Sequence, residues 1–168
     1  MDHPNSFTAE GSKPESWRTR LMRWYFNVFP AYRGSGAWVT SIAGDWSEVR
    51  IRLPLNWNTR NYVGTIFGGS MYSAVDPMFM IMLIKRLGPG YIVWDKAASI
   101  QFKRPGRETL YAVFKIAEGD IEAIRATLET QPKIDCVYTV DLVDSRGVPH
   151  ATVEKTINIR KKKIPEIG

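Results

Sequence analysis

Hydrophobic residues recur along most of the chain at helical or strand spacing, and the changes in spacing divide it into elements. The first is a helix predicted over SWRTRLMRWYFNVF, at positions 16–29, with Ser16 as its N-cap. Its apolar stripe consists of Trp17, Leu21, Trp24, Tyr25 and Val28. The arginines of this segment lie mostly off the stripe. We favour a helix that covers a sheet or a subunit seam over the alternative, an interfacial membrane helix.

Two short segments then alternate with a period of two, as strands do. They are AWVTSIA at 37–43 and WSEVRIRL at 46–53, and the Gly44-Asp45 turn between them predicts a hairpin. The expected faces are Trp38, Thr40 and Ile42 on one side of the first strand, and Val49, Ile51 and Leu53 opposite Arg50 and Arg52 in the second.

The longest apolar run extends from about Thr65 to Leu87 and ends at Gly88, a frequent helix C-terminal residue. It predicts one long helix. Because this helix is hydrophobic nearly all round, we expect protein to wrap it. Pro77 removes one helical hydrogen bond and should bend it.

After this run the spacing returns to two. YIVWDKAASIQF and TLYAVFKIA flank a turn at 103–106, with Leu110, Ala112, Phe114 and Ile116 on one face. A short helix capped by Asp120 follows, and then the strands CVYTVDLVD and ATVEKTINIR. Short connections favour an antiparallel sheet, so the expected class is α+β: a curved antiparallel sheet around a central helix, plus an N-terminal helix. Exposed sheet edges invite a second copy of the chain.

The length of 168 residues predicts a single domain. We place a mobile tail at 1–14, the domain at 15–160 with its helix at 15–30 and its core at 35–160, and a basic tail at 161–168. A single cysteine, Cys136, excludes an internal disulfide and any multi-cysteine zinc site, and it indicates a reducing compartment. With no signal-peptide pattern, we expect a cytoplasmic protein.

The net charge of +6 is concentrated in RTRLMR, KRPGR and RKKK. Such runs attract polyanions, although most are simply solvated faces. No nucleic-acid-binding motif accompanies them, so nucleic acid is not an expected partner.

The segment NYVGTIFGGSMYSAVD, at 61–76, carries the candidate chemistry. Gly68 and Gly69 fall at the predicted helix start, where free backbone N–H groups could stabilise an oxyanion. The alternative, equally supported by the glycines alone, is that they only permit close packing.

Asp76 introduces a carboxylate among apolar neighbours, which requires a task or a fixed partner. A paired structural aspartate is the alternative. At about 1.5 Å of helical rise per residue, Asp76 lies roughly 12 Å from Gly68. Both groups can therefore act on one substrate only if Asp76 comes from another subunit.

This segment resembles the motif of hotdog-fold thioesterases of the phenylacetate-pathway type, in which Asn, His-Gly-Gly and Asp occur at the same spacing. Asn61, Gly68, Gly69 and Asp76 fall on those positions, and AASIQFKRPGR is similar to the strand and turn that follow the family's helix. The resemblance is closest to a hotdog subgroup of unassigned function with Phe-Gly-Gly and Asp-Pro variants.

The resemblance implies an acyl-CoA thioesterase with a site shared in a homodimer, and pairing of dimers into tetramers is left open. Gly68 or Gly69 would bind the carbonyl oxygen, Asp76 would act as base or nucleophile, and Asn61 would orient it or the water. No cofactor is implied beyond the coenzyme A of the substrate. The expected substrate-binding residues are Phe67, Ser70, Tyr72, Ser73, Lys103, Arg104 and Arg107, the last three for coenzyme A phosphates.

One departure concerns Phe67, which stands where the family has histidine and cannot donate a proton. A non-catalytic binder of acyl thioesters or lipids is therefore the main alternative, and a peripheral membrane protein is a third. No G-x-S-x-G elbow, P-loop or metal-ligand spacing occurs. A Ser-His-Asp triad would have to use His150, which we expect to be exposed.

Overall fold

The computed structural model describes residues 13–162. The helices are α1 (Trp17–Val28), α2 (Pro30–Arg33), α3 (Gly68–Val75), α4 (Met78–Leu87) and α5 (Glu118–Thr130). The strands are β1 (Trp38–Ile42), β2 (Glu48–Leu53), β3 (Tyr91–Phe102), β4 (Leu110–Lys115), β5 (Ile134–Val143) and β6 (Pro149–Lys161).

All six strands form one antiparallel sheet in the order β1-β2-β4-β5-β6-β3. The predicted α+β class and antiparallel sheet are confirmed, as is the predicted order of elements with the short α2 added. Strand β3 lies at the edge of the sheet opposite β1 and pairs with the last strand, so the turn at 103–106 comes to lie beside the start of β6.

The predicted long helix is instead two helices, α3 and α4, separated at Asp76 and Pro77. Asp76 is the C-cap of α3, and its N–H still donates to Tyr72. Pro77 has no N–H to continue the ladder, which explains why the apolar run divides at this point. Both helices bury one side against the sheet, through Met71, Ala74, Val75, Met78, Phe79, Met82, Leu83 and Leu87. The other side, which includes Met80 and Ile81, is only half-buried.

The β1–β2 hairpin is confirmed, but the expected faces of β1 are wrong. Val39 is buried and Trp38 is 43% exposed, because the register shifts between Val39 and Ser41 and reverses the alternation. In β2 the apolar face is buried as expected, whereas Arg50 is also buried and pairs with Glu48 at 2.8 Å.

Helix α1 has the predicted Ser16 N-cap, whose Oγ accepts from Thr19 N. The stripe does not cover the sheet: all five of its residues are exposed, and α1 is buried instead at Thr19 and Phe26. Its other predicted role, covering a subunit seam, stays a prediction. Only a narrow part of the helix meets β1, so the side of α1 that is buried does not coincide with its most hydrophobic side. Helix α5 begins before the predicted cap, and Asp120 accepts from Ala117 N within its first turn.

The two edges of the sheet differ. Beside β1, the Glu15 carboxylate accepts from Ile42 N at 3.0 Å, and the Asn27 amide both donates to Val39 O and accepts from Val39 N. Side chains therefore occupy that edge. At the other edge, β3 pairs with β6 and with no further strand among residues 13–162. Its central residues 96–99 are exposed.

Residues 1–12 and 163–168, which hold most of the two predicted tails, lie outside the described range. Lys13 and Pro14 contact the β1–β2 hairpin, because Lys13 Nζ donates to Ser47 Oγ and Pro14 O accepts from Gly44 N. The domain boundaries stay a prediction. Within residues 13–162, no helix combines the length and the apolar character that crossing a bilayer requires.

Candidate functional site

A cleft of about 400 Å³ lies beside the start of α3. Its walls come from the loop before α3, from the end of β3 and from the following turn. The lining residues are Asn61, Thr65, Ile66, Gly68, Met71, Phe102, Lys103, Arg104, Pro105 and Gly106. Four residues predicted for the site therefore share one cleft, here called the glycine cleft: Asn61, Gly68, Lys103 and Arg104.

The glycines at the start of α3 are covered by aromatic rings. A Cβ on Gly68 would lie 2.8 Å from Phe102 Cζ, and one on Gly69 would lie 2.3 Å from Phe67 Cε1. Glycine is thus required for these rings to rest on the helix start, in agreement with the close-packing interpretation. Phe67 and Phe102 remain 57% and 58% exposed, so neither ring is locked in place. Ser70 is buried behind them.

Asn61 holds the turn that leads into α3. Its Oδ1 accepts from Val63 N and Thr65 N, and its Nδ2 donates to Thr65 Oγ1. These bonds occupy both ends of the amide, so Asn61 shapes the wall of the cleft. The predicted role of orienting water or a carboxylate stays a prediction.

The basic turn after β3 is fixed through its backbone. Lys103 N and Arg104 N both donate to His150 O, and Arg104 Nη1 donates to Pro149 O. Lys103 Nζ lies 3.9 Å from Asp141 and stays 41% exposed. Arg107 is exposed but does not line the glycine cleft. Two of the three predicted phosphate-binding cations therefore stand at the cleft.

His150 was expected to be exposed, and this was wrong: it is 7% exposed. Its Nδ1 lies 3.1 Å from Pro105 O, and its Nε2 lies 3.5 Å from the buried Asp144 carboxylate. The second residue of β6 faces inward under the basic turn, where the imidazole packs. His150 therefore supports the turn from below.

Asp76 lies in a different cleft, of about 310 Å³, between α1–α2 and the α3–α4 break. This Asp76 cleft is lined by Phe26, Phe29, Ala31, Tyr32, Tyr72, Ser73, Asp76, Pro77 and Ile81. It contains the predicted binding residues Tyr72 and Ser73. The two clefts share no lining residue, so one chain does not bring Gly68 and Asp76 to a common cavity.

The Asp76 carboxylate is held by a buried lysine. Lys155 Nζ donates to Asp76 Oδ1 at 2.6 Å and to Asp76 O at 3.0 Å, and it pairs with Asp95 Oδ2 at 3.0 Å. The Lys155 side chain is 1% exposed, whereas that of Asp76 is 44% exposed. Asp76 is thus fixed from behind by a cation and open in front to the cleft.

The pKa values of Lys155 and Asp95 both differ from their ordinary values. Burial lowers the pKa of Lys155, but the hydrogen bonds and charges of Asp76 and Asp95 outweigh burial and raise it above its ordinary value. Burial raises the pKa of Asp95, and Lys155 only partly opposes this. Asp95 Oδ1 is buried without a hydrogen-bond partner among residues 13–162. The lysine stays charged, and Asp95 is the member of the cluster whose ionisation is opposed by burial.

Lys155 was missed in the sequence, although a signal for it exists. In ATVEKTINIR the apolar positions Ala151, Val153, Ile157 and Ile159 share a face, and strict alternation places Lys155 on that same face. A lysine facing a core needs an anionic partner. The acid inside the apolar run, Asp76, was the natural candidate.

No group of three or more His, Cys, Asp or Glu side chains within residues 13–162 is arranged to hold a metal ion.

Comparison with known families gives one match over most of the chain. The model of the family described as "Domain of unknown function (DUF4442)" matches residues 18–159. The chain belongs to this family. No curated protein matches the chain in sequence.

Solved structures resemble the chain at low identity. PA5026 from Pseudomonas aeruginosa, a protein of unknown function called a probable thioesterase, has a TM-score of 0.76 at 17% identity, covering 89% of this chain and 99% of its own. OLEI01261 from Chlorobaculum tepidum, a protein of unknown function, has a TM-score of 0.68 at 14% identity. The match covers 94% of this chain and 99% of OLEI01261. The thioesterase HI1161 from Haemophilus influenzae has a TM-score of 0.65 at 11% identity. The match covers 90% of this chain and 96% of HI1161. The neighbours are hotdog-fold proteins, and at these identities the likeness shows the fold alone.

Proposed function

We propose that the protein hydrolyses an acyl thioester, with acyl-CoA as the substrate, at a site completed by a second copy of the chain. The observation that carries the proposal is the position of β3. One end of this strand contributes Phe102 to the glycine cleft, and Asp95, near the other end, is paired with the lysine that holds Asp76.

The free edge of β3 can bring the two half-sites together. Asp95 and Phe102 are seven residues apart, about 23 Å along a strand. If two copies pair through β3 in antiparallel orientation, the Phe102 end of one copy lies beside the Asp95 end of the other. Each glycine cleft would then face the Asp76 cleft of the second copy. The exposed small residues at the centre of β3, Ala97, Ala98 and Ser99, permit close approach.

In this arrangement, the backbone N–H groups at Gly68 or Gly69 would bind the thioester oxygen as it becomes negative. Asp76 of the second copy would accept a proton from water while the water oxygen attacks the carbonyl carbon. The carbon–sulfur bond then breaks, and the thiolate leaves and takes up a proton. In the other route, the Asp76 carboxylate attacks the carbonyl carbon, the carbon–sulfur bond breaks and the thiolate leaves and takes up a proton. Water then hydrolyses the resulting anhydride to the free acid and restores Asp76.

Lys155 acts in this proposal as a positioning residue. The cation holds Asp76 Oδ1 and thereby fixes the orientation of the carboxylate. A charge-assisted hydrogen bond to a lysine without access to water keeps this geometry better than an exposed pair does. The cost is a buried cation, which the second carboxylate, Asp95, offsets.

The two clefts suit the two ends of the substrate. Lys103 and Arg104 at the glycine cleft would pair with coenzyme A phosphates. The Asp76 cleft is lined mainly by apolar and aromatic side chains, which would accommodate the acyl group. Membership of the Phe-Gly-Gly subgroup and the cytoplasmic location stay predictions.

Phe67 favours a second candidate, a binder of acyl thioesters without turnover. Its ring lies against Gly69, where the resembling family has a histidine, and it offers no proton and no hydrogen bond to a carbonyl. Such a protein would retain ligand in the same clefts.

The test is thiol release from short-, medium- and long-chain and aryl acyl-CoAs, comparing the wild type with Asp76→Asn. Hydrolysis by the wild type that falls at least about a hundredfold in Asp76→Asn supports the proposal. Asp120→Asn, on the surface of α5, serves as the control. Equal rates for wild type and Asp76→Asn remove the catalytic role. Tight binding of acyl-CoA with no turnover selects the binder instead.

A further inference from the structure

Helix α1 presents an apolar surface to solvent. The α1 stripe comprises Trp17, Leu21, Trp24, Tyr25 and Val28, and the first three are 73%, 60% and 63% exposed. The opposite side of the helix, with Thr19 and Phe26, rests on β1. A contiguous exposed group of large side chains on one helix face marks an interaction surface rather than a chance exposure.

Arginines border this stripe on both sides. At about 100° per residue, Arg18 lies next to Tyr25 at one rim and Arg20 lies next to Trp24 at the other. The Arg18 guanidinium lies over the Trp17 ring at 5.3 Å from its centre. Neither arginine forms an ion pair with a residue between 13 and 162, whereas Arg23 is paired with Glu15. Within residues 13–162, two cations without an ion-pair partner thus lie beside the apolar face.

We infer that the α1 stripe binds the surface of an anionic lipid bilayer. Tryptophan and tyrosine rings favour the head-group level, where an apolar body and a polar edge are both accommodated. A leucine between them would enter the acyl region, and the flanking arginines would reach lipid phosphates. The net charge of +6 adds long-range attraction to such a surface.

A second copy of the chain fits this face less well. A two-fold axis passing through this face would place one α1 stripe on another, so the flanking arginines of both copies would crowd one interface. Helix α1 contains no acidic residue to pair with them. The free edge of β3 offers a self-pairing surface without this repulsion.

The stripe is continuous with the Asp76 cleft. The rings of Tyr25 and Phe29 stack with centres 5.3 Å apart, and Phe29 lines that cleft together with Phe26. An acyl group leaving the bilayer would therefore have an apolar path to Asp76. This last step rests on the proposed function, whereas binding to the bilayer does not.

Flotation with vesicles tests the inference. The full chain is mixed with vesicles of phosphatidylcholine alone or with 30 mol% phosphatidylglycerol (a composition of roughly the charge density at which basic segments bind). We expect the wild type to bind the anionic vesicles. Leu21→Glu/Trp24→Glu should lower the bound-to-free ratio by at least about tenfold, and so should Arg18→Gln/Arg20→Gln. Val137→Ser, which changes an exposed apolar residue on β5, should bind as the wild type does.

Two results would overturn the inference. One is no binding of the wild type to anionic vesicles at low salt. The other is equal binding by the wild type and both double variants, which would assign adsorption to other basic residues. Size-exclusion chromatography of the same variants tests whether a second copy covers this face instead. A lower apparent mass for Leu21→Glu/Trp24→Glu, but not for Arg18→Gln/Arg20→Gln, would assign the face to a second copy. Because thiol release is not measured, failure here is distinguishable from failure of the proposed function.

Discussion

Lys155 Nζ lies 2.6 Å from Asp76 Oδ1, although the two residues are 79 positions apart in the chain. The contact joins the last strand of the sheet to the break between α3 and α4. It fixes the Asp76 carboxylate, which lines the Asp76 cleft, and it explains how an acid is kept inside an apolar run.

Removing this cation should be costly. In Lys155→Met, Asp76 and Asp95 face each other with no counter-ion, and we expect a loss of about 3–5 kcal/mol in the free energy of unfolding. Urea denaturation measures it. Lys161→Met, on the exposed end of the same strand, is the matched control and should change stability by less than about 1 kcal/mol.

A double variant separates charge repulsion from lost packing. Lys155→Met/Asp95→Asn leaves a single carboxylate and should recover part of the stability lost in Lys155→Met. Equal stabilities of the single and double variants would show that the two acids do not repel each other in the folded protein.

The raised pKa of Asp95 predicts a pH dependence with a definite sign. Burial makes ionisation of this carboxyl harder in the folded than in the unfolded chain, so the folded protein binds more protons above the ordinary pKa of 3.8. The stability of the wild type relative to Asp95→Asn should therefore fall as the pH rises above 3.8 and level off once Asp95 is ionised in both states. Urea midpoints across this range measure it, and a relative stability that rises with pH would contradict the assignment.

Gly68→Ala tests the glycine cleft. The new Cβ would lie 2.8 Å from Phe102 Cζ, so the exposed ring must turn and narrow the cleft. We expect kcat/KM for acyl-CoA to fall about tenfold or more, with a stability change below about 1 kcal/mol. Gly119→Ala is the control: its Cβ meets nothing within 4 Å on the exposed side of α5, so activity should stay unchanged. Full activity in Gly68→Ala would argue against catalysis at this cleft.

The free edge of β3 predicts a dimer. Sedimentation should give twice the chain mass of 19.1 kDa. In the proposed pairing, Ala98 lies near the two-fold axis, so Ala98→Glu brings like charges together and should produce monomers. Val137→Glu changes an exposed side chain on β5, which is not an edge strand, and should remain dimeric. A wild type that is monomeric at assay concentration would exclude the shared site.

Local patterns predicted much of this fold. Ser16, Gly88 and the alternation in β4 and β6 act within a few residues, and the elements they define are confirmed. Apart from the helix break at Pro77, which has a local cause, the failures involve long-range partners. The register shift in β1 reversed its faces, and the narrow contact of α1 with β1 left Trp17 and Trp24 exposed.

In the candidate site, too, the features set by local sequence were predicted and those set by long-range contacts were not. Asn61, Gly68 and the basic turn were found from one short motif and one resemblance, and they do share a cleft. The pairing of Asp76 with Lys155 depends on how a helix break meets a distant strand, which no local rule specifies. Alternation alone could only have indicated that Lys155 faces inward.

Mixing two inactive variants tests the shared site most directly. Gly68→Trp blocks the glycine cleft and Asp76→Asn removes the carboxylate, so neither variant should hydrolyse acyl-CoA. After unfolding and refolding as an equal mixture, half of the dimers contain one copy of each. If the site is shared, each mixed dimer has one intact site, and about a quarter of the wild-type rate should return. If each site is built from a single chain, every site in the mixture carries a defect and no activity returns, which would contradict the account.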